Sequence, residues 1–286
     1  MHIFIHTNNK QLLGAKISKF SIERFHGNNT DIKVSIINVD DVEEFKSFIG
    51  KKYLRKGKEF TYEKNDLQSF TLSRFMPPEE VDFGERTMVI DPDIFAVQPF
   101  DELMNIDLEN KNLACCKKND NYDTSMMILE SSKLQHWKMS DILKRLENKE
   151  LDYQDIMSLN MEDSKNILEV PRIWNNLDKL TEDTKLLHTT GRLTQPWKTG
   201  LKIDFTRHIP KLFGFIPRVK IYEMIGRIPK TYQPHPDKNI EKFFFELTNQ
   251  AYEAGAVTDE DIDREIKNKN IRSDFREKVA EYLQHQ

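Results

Sequence analysis

Apolar and polar positions alternate along this chain in short runs whose period changes repeatedly. "HIFIH" is a brief apolar run, "KQLLGAKISKFSIERF" sets Leu13, Ile17 and Phe20 at near-helical spacing, and "IKVSIINV" is strand-like again. Strand, helix, strand in that order is a βαβ unit, which pairs in parallel through a crossover helix. Residues 51–68, "KKYLRKGKEFTYEKNDLQ", are charged and without period, and are expected to form a loop or mobile insertion. "RTMVI" is a short buried strand stopped by "DPD", since Pro92 lacks the amide donor that a central strand needs. Strands follow at "NLACCKK" and "SMMILE", then a helix over "SSKLQHWKMSDILKRLENK" with Ser131 or Ser132 as its cap. The alternation runs on to "TKLLHTTG". "HPDKNIEKFFFELTNQAYEAG" and "TDEDIDREIKNKNIRSDFREKVAEYLQ" read as terminal helices, the second capped by Thr258. The pattern as a whole predicts the α/β class.

Composition narrows what such a fold does. With 286 residues, 38% of them hydrophobic, the chain is long enough for a sizeable core. Its formal net charge of -4 gives no whole-protein electrostatic case for nucleic acid as a partner. "MHIFIHTNNK" is apolar over too few residues, and polar too early at His6, Asn8 and Asn9, for a signal peptide or span, so a cytoplasmic location is expected. Cys115 and Cys116 are neighbours, a poor geometry for a structural disulfide and too few thiols for structural zinc. They read as buried strand residues in a reducing compartment.

The candidate chemistry lies in "TMVIDPDIFAVQPFDEL". Asp91 and Asp93 repel one another unless solvent or a cation lies between them. Spacing alone is weak, because Asp259, Asp261 and Asp263 repeat it, and there the positive end of a helix accounts for the acids. Asp91 and Asp93 instead follow a strand, at the edge where open α/β sheets bind ligands, and Pro92 stiffens the turn. Two chemistries use such a pair. In haloacid-dehalogenase-type phosphatases the first Asp attacks phosphorus, but Phe95 stands where their pattern asks for Thr or Val. In nucleotide-sugar transfer the pair holds a divalent cation on the departing diphosphate, and further ligands are expected elsewhere.

Further blocks resemble glycosyltransferase family 8, the retaining transferases that include glycogenin and lipopolysaccharide galactosyltransferases. "FTLSRFMPPEEVDFGERTMVIDPDIFAVQPFDELMNIDL" resembles the family's run of an Arg before the metal-binding strand. "NYDTSMMILESSKLQHW", "LDYQDIMSLN", "PRIWNNL" and "LLHTTGRLTQPWKTG" resemble its next four blocks in order. No single block decides; five in sequence carry the resemblance, over roughly residues 1–200. It implies a Rossmann-like mixed sheet of the GT-A type flanked by helices over 1–200, with a helical C-terminal extension over 201–286. It also implies a metal-dependent hexose transferase using a nucleotide sugar, UDP-linked, with a glycan, lipid-linked or protein acceptor.

By the same resemblance, Asp91, Asp93 and His188 hold Mn²⁺ or Mg²⁺, and Thr7, Asn8, Arg74, Pro92, Gly191 and Lys198 contact the nucleotide sugar, with Arg192 an alternative to Lys198. Asp123, Gln154 and Asp155 fall on the sugar or acceptor side. The chain departs from the family there: Asp123 replaces Asn, Ser125 replaces Gly, Tyr153 replaces Asp, and Gln195 replaces a lysine before Pro196. A non-catalytic sugar-nucleotide or glycan-binding protein of the same fold is therefore the alternative. Trp137, Trp174 and Trp197 are expected to pack rather than to stack on sugars. The basic, aromatic residues 202–230 offer peripheral docking on the inner face of an anionic membrane. Pro210, Pro217 and Pro229 break any long amphipathic helix there and favour a packed extension.

Overall fold

In this computed structural model, which describes residues 1–26, 32–64, 66–205 and 218–283, β1 (His2–Thr7) is buried along its whole length. It pairs in parallel with β2 (Lys33–Asn38) on one side, through the crossover helix Leu12–His26, as the βαβ pattern predicts. Two strands come next in the chain, β3 (Lys52–Arg55) and β4 (Lys58–Thr61), and then β5 (Thr87–Ile90), which pairs in parallel with the other side of β1. After β6 (Ile94–Ala96), β7 (Leu113–Lys118), β8 (Asn121–Leu129) and β9 (Ile167–Glu169) complete a mixed sheet of order β2-β1-β5-β8-β7-β9. The order reverses direction between β1 and β5, so their carboxyl ends flank a crevice of the kind that binds ligands in such sheets.

Both faces of this sheet are covered, and its strands are accordingly apolar on both sides. Ile3, Ile5, Met88, Ile90, Met126 and Ile128 face the layer containing Ala15 and Ile22 of the crossover helix. Phe4, Val89, Met127 and Leu129 face the layer built on Phe70, Phe75 and Trp137. Trp137, Trp174 and Trp197 are all buried, in keeping with a packing role. Cys115 and Cys116 are buried and unbridged in β7.

A second sheet sets the site. β10 (Asn176–Leu177) runs parallel to β11 (Leu186–His188), which pairs antiparallel with β6 and places His188 opposite Ile94. The free edge of β6 is covered by the crossover helix: Ser18 Oγ donates to Ile94 O (2.6 Å), Ala96 N donates to Ser21 Oγ (2.9 Å) and Arg24 donates to Ala96 O (2.8 Å). Gly14 permits that approach, for a Cβ there would stand 3.0 Å from the Pro92 carbonyl oxygen. The β7–β8 ladder slips at Cys115/Cys116: Cys115 pairs with Met127 and Cys116 with Asp123, so β8 bulges through Thr124, Ser125 and Met126 on that side. Bulges re-aim side chains, and this one lies beside the residues described below.

Three expectations fail. Residues 51–68 contain a β-hairpin, because Lys56 and Gly57 both adopt positive φ (53° and 69°), the conformation of a two-residue turn that matches strand twist. The Asp152 carboxylate accepts from both turn amides (2.9 and 2.7 Å) and from Gln154 N (2.7 Å), capping the short helix Tyr153–Met157. Charged positions along β3 and β4 conceal the strand period. The helix expected from Ser131 or Ser132 begins at Met139, whose amide donates to Glu79 Oε2 (3.0 Å), while Ser131–Lys133 is a single tight turn. The final predicted helix is two, Asp259–Lys267 and Phe275–Leu283, parted where Lys269 takes a φ of 59°.

The chain divides into two compact units, Met1–His188 and Thr189–Gln286. In the second, Trp197 packs on Phe244 of the helix Lys238–Glu253 with ring centroids 4.8 Å apart, and Phe245 stacks on Tyr282. Thr258 and Asp261 form the expected capping box. Of the basic stretch 202–230, residues 206–217 lie outside the described residues, and among the described residues no helix is long and apolar enough to cross a membrane.

Gly14→Ala gains about 1 kcal/mol of helix propensity against a backbone clash of about 1–3 kcal/mol. It is expected to lower the melting temperature, and a rise on thermal unfolding would mean that the Pro92 loop retreats without cost.

Candidate metal centre

Asp91 follows β5 directly, and its position is set by main chain: Asp91 N donates to Ser125 O (2.9 Å) and Ile94 N donates to Asp91 O (3.2 Å). Asp93 precedes β6, and the β6–β11 pairing brings His188 alongside it. His188 Nε2 lies 3.3 Å from Asp93 Oδ1 and 3.9 Å from Asp91 Oδ2. All three residues are buried, and one donor atom from each lies within 4.8 Å of the others. With ligand bonds of about 2.1 Å, donors at a right angle around a cation sit about 3 Å apart and opposed donors about 4.2 Å apart. The two imidazole–carboxylate separations fall in that span.

Asp91 is the most heavily engaged of the three. Arg74 grips it with two nitrogens, Nε to Oδ1 at 3.0 Å and Nη2 to Oδ2 at 2.6 Å, and His6 Nε2 meets Oδ1 at 2.8 Å. The third Arg74 nitrogen donates to Thr124 Oγ1 at 2.8 Å. Burial works to raise the Asp91 carboxyl, but the Arg74 guanidinium, then His6 and His188, outweigh it and hold the group well below the usual carboxylate range. Burial also pushes the His6 pKa down, although both ring nitrogens are turned toward acceptors, Asp91 and the Phe70 carbonyl. For His188 the balance goes the other way: burial would lower its pKa, and Asp93 first, then Asp91 and Asp123, raise it above the ordinary value.

Behind His188 stands a chain of polar groups. Its Nδ1 lies 2.9 Å from Asn175 Oδ1, and Asn175 Nδ2 donates to Ser125 Oγ at 2.9 Å. Ser125 Oγ donates to Asp123 Oδ1 at 2.6 Å, and Arg172 Nη1 donates to Asp123 Oδ2 at 2.8 Å. Burial raises the Asp123 carboxyl, but His188, Ser125 and Arg172 lower it further, to a net depression.

The remaining candidates make other contacts. Thr7 and Asn8 are buried: Thr7 Oγ1 donates to Asn8 O, and Asn8 Nδ2 serves the 66–69 turn, reaching Ser69 Oγ at 2.9 Å. Gln154 Nε2 donates to Ser158 Oγ, and the exposed Asp155 accepts from Asn160, so both are held within their own turn. Pro92 supplies the carbonyl that faces Gly14. Gly191 and Lys198 belong to the second unit, where Lys198 is buried with Nζ 3.5 Å from Asp204 Oδ2 and 5.2 Å from the Tyr232 ring.

Sequence reasoning did not single out His6, Thr124, Arg172 or Asn175 as site residues. A histidine near the carboxyl end of a wholly buried parallel strand was the available signal for His6; the others depend on the bulge and on the turn before β10.

No protein-family model and no curated protein matches the sequence. Among solved structures, the chain is similar to a galactosyltransferase, LgtC, in complex with donor and acceptor sugar analogues, at 12% identity over 69% of this chain and 89% of that one, with a TM-score of 0.48. It is similar also to the glycosyltransferase GlyE of Streptococcus pneumoniae TIGR4, at 13% identity over 89% and 64% of the two chains and a TM-score of 0.49. Mouse xyloside xylosyltransferase 1 is a third, at 12% identity over 66% and 97%, with a TM-score of 0.43. The site assignment rests on the residues themselves.

Removing Arg74 strands a buried carboxylate. Arg74→Met is expected to cost about 3–5 kcal/mol in urea unfolding, with much of it recovered in the double variant Arg74→Met/Asp91→Leu. Equal stability of Arg74→Met and the parent would mean that Asp91 finds another counter-charge.

Proposed function

We propose that this chain is a glycosyltransferase of the GT-A type that uses a divalent cation, Mn²⁺ or Mg²⁺, to move a hexose with retention from a UDP-linked donor to a glycan, lipid-linked or protein acceptor. The observation that carries this is the meeting of Asp91 and Asp93, in the turn from the carboxyl end of β5 to the start of β6, with His188 at the end of β11, beside the crevice between β1 and β5. Two carboxylate oxygens and one borderline nitrogen suit manganese. A cation held there would neutralise charge growing on the leaving nucleoside diphosphate.

The chain's own residues divide the remaining work. Arg74 and His6 hold Asp91 in place, with Oδ2 3.9 Å from His188 Nε2. Asp93 Oδ1 is the carboxylate oxygen nearer to His188 Nε2, at 3.3 Å. The crevice end of β1, with Thr7 and Asn8 turned into the protein, presents main chain rather than those side chains to a nucleotide. The phosphatase chemistry fits poorly, because a carboxylate gripped by a guanidinium and an imidazole is a weak nucleophile. One observation favours the non-catalytic alternative: Asp123, Gln154 and Asp155, the acceptor-side residues of the resemblance, are all hydrogen-bonded within the protein.

Calorimetry is expected to show UDP binding that requires Mn²⁺ and is lost in Asp93→Ala; metal-independent affinity would refute the site. Slow UDP release from a matching sugar donor supports the enzyme, and silence across a donor panel supports the binder.

Proton and cation compete for His188 Nε2. With the His188 pKa raised above its ordinary value, Mn²⁺ affinity is expected to be full at alkaline pH and to fall as pH drops through that raised pKa. Calorimetry in buffers of different ionisation enthalpy should register proton release on binding at pH values below that raised pKa; pH-independent binding without proton release would count against His188 as a ligand.

A further inference from the structure

We infer that Asp123 and Ser125, two of the positions where the chain departs from the family pattern, are positioning residues that set the proton of His188 through Asn175, rather than contacts to a sugar. This rests on the metal-site reading above, and follows from accounting for every proton along the chain of polar groups.

The direction is forced from one end. Asp123 is ion-paired to Arg172 (2.8 Å) and also accepts from Ser125 N (3.1 Å), so it is ionised and can only accept. The Ser125 hydroxyl, 2.6 Å from Asp123 Oδ1, must therefore donate its single proton to that carboxylate. Its oxygen is then left to accept, so the nearest group of Asn175, at 2.9 Å, must be the NH₂; the second amide proton of Asn175 lies toward Asp123 Oδ2 at 3.4 Å. The Asn175 orientation, ordinarily ambiguous for an amide, is thereby determined. Its oxygen faces His188 Nδ1 at 2.9 Å and requires a proton there; the Ser125 oxygen, 3.4 Å from Nδ1 and already donating to Asp123, can only share in accepting it. In the neutral ring the lone pair is consequently on Nε2, directed at Asp91 and Asp93.

Each link depends on a side chain that the sequence could have lacked. Glycine at 125 would break the relay, and asparagine at 123 would offer both a donor and an acceptor to Ser125, removing the constraint that orients Asn175. The two departures act together: an obligate acceptor and a hydroxyl to transmit it. Partners of this kind on the far ring nitrogen fix the tautomer and orientation of metal-binding histidines, and their loss typically weakens metal affinity by about 10–100-fold.

The test reads the tautomer directly. Long-range proton–nitrogen NMR of the metal-free protein at alkaline pH should show His188 protonated on Nδ1 in the parent, and mixed between nitrogens in Asp123→Asn and in Ser125→Ala. Mn²⁺ affinity by calorimetry should fall about tenfold or more in Asp123→Asn. It should return in Asp123→Asn/Asn175→Asp, where a carboxylate accepts from Nδ1 whatever stands at 123. An unchanged tautomer in both single variants overturns the relay, whether or not Mn²⁺ binding weakens, since lost charge alone could weaken binding. A parent that holds the Nδ1 proton yet binds no Mn²⁺ overturns the transferase reading and leaves the relay standing.

Discussion

An imidazole lone pair aimed at two carboxylates in a buried place is unfavourable unless positive charge comes between them. Much of the surrounding structure deals with that conflict. Arg74 supplies one permanent positive charge, committed to Asp91 through two hydrogen bonds. The partial neutralisation it achieves lets Asp91 stay ionised in the interior. It leaves His188 3.3 Å from the Asp93 carboxylate, whose charge raises the imidazole pKa.

The fold brings these groups together by two pairings that are distant in sequence. β6 is three residues long and owes its place to the crossover helix, whose serines satisfy the strand's outer edge and whose glycine lets the Pro92 turn sit close. β11 then adds to the other edge of β6 and delivers His188. Independently, the bulge in β8 turns Ser125 toward Asn175 and lets Thr124 receive Arg74. Strand β11 holds the imidazole, a three-residue turn clamped between β5 and β6 holds the acids, and irregular backbone supplies the groups that orient them. That division keeps short, specific contacts from resting on mobile loops.

Legibility from the sequence followed the strength of local signals. The βαβ unit, the buried strand before "DPD", the capping box at Thr258 and the packing role of the three tryptophans all rest on periodicity or on residue types with one dominant use. The pairing of His188 with Asp91 and Asp93 was reachable only through the order of motif blocks, since no local pattern predicts that β11 will lie on β6. The hairpin at 52–61 was hidden because its turn uses Lys56 and Gly57 rather than Asn-Gly, and its strands are largely charged. The relay behind His188 was invisible for a different reason. Its residues come from β8, from the turn before β10 and from β11, and only three-dimensional proximity shows that they form one hydrogen-bonded line.

The Asp152 carboxylate, which accepts from the hairpin turn and from the first turn of the helix Tyr153–Met157 at once, has a mechanical consequence. Neither element is long enough to persist alone, and the same acid terminates both. Fraying of the hairpin tip uncaps the helix, and the helix in turn carries the Met157 carbonyl on which the Thr124 hydroxyl rests, 3.3 Å away. Amide hydrogens in these two segments should therefore exchange with solvent at a common opening free energy, as one cooperative unit that borders the Arg74 anchor.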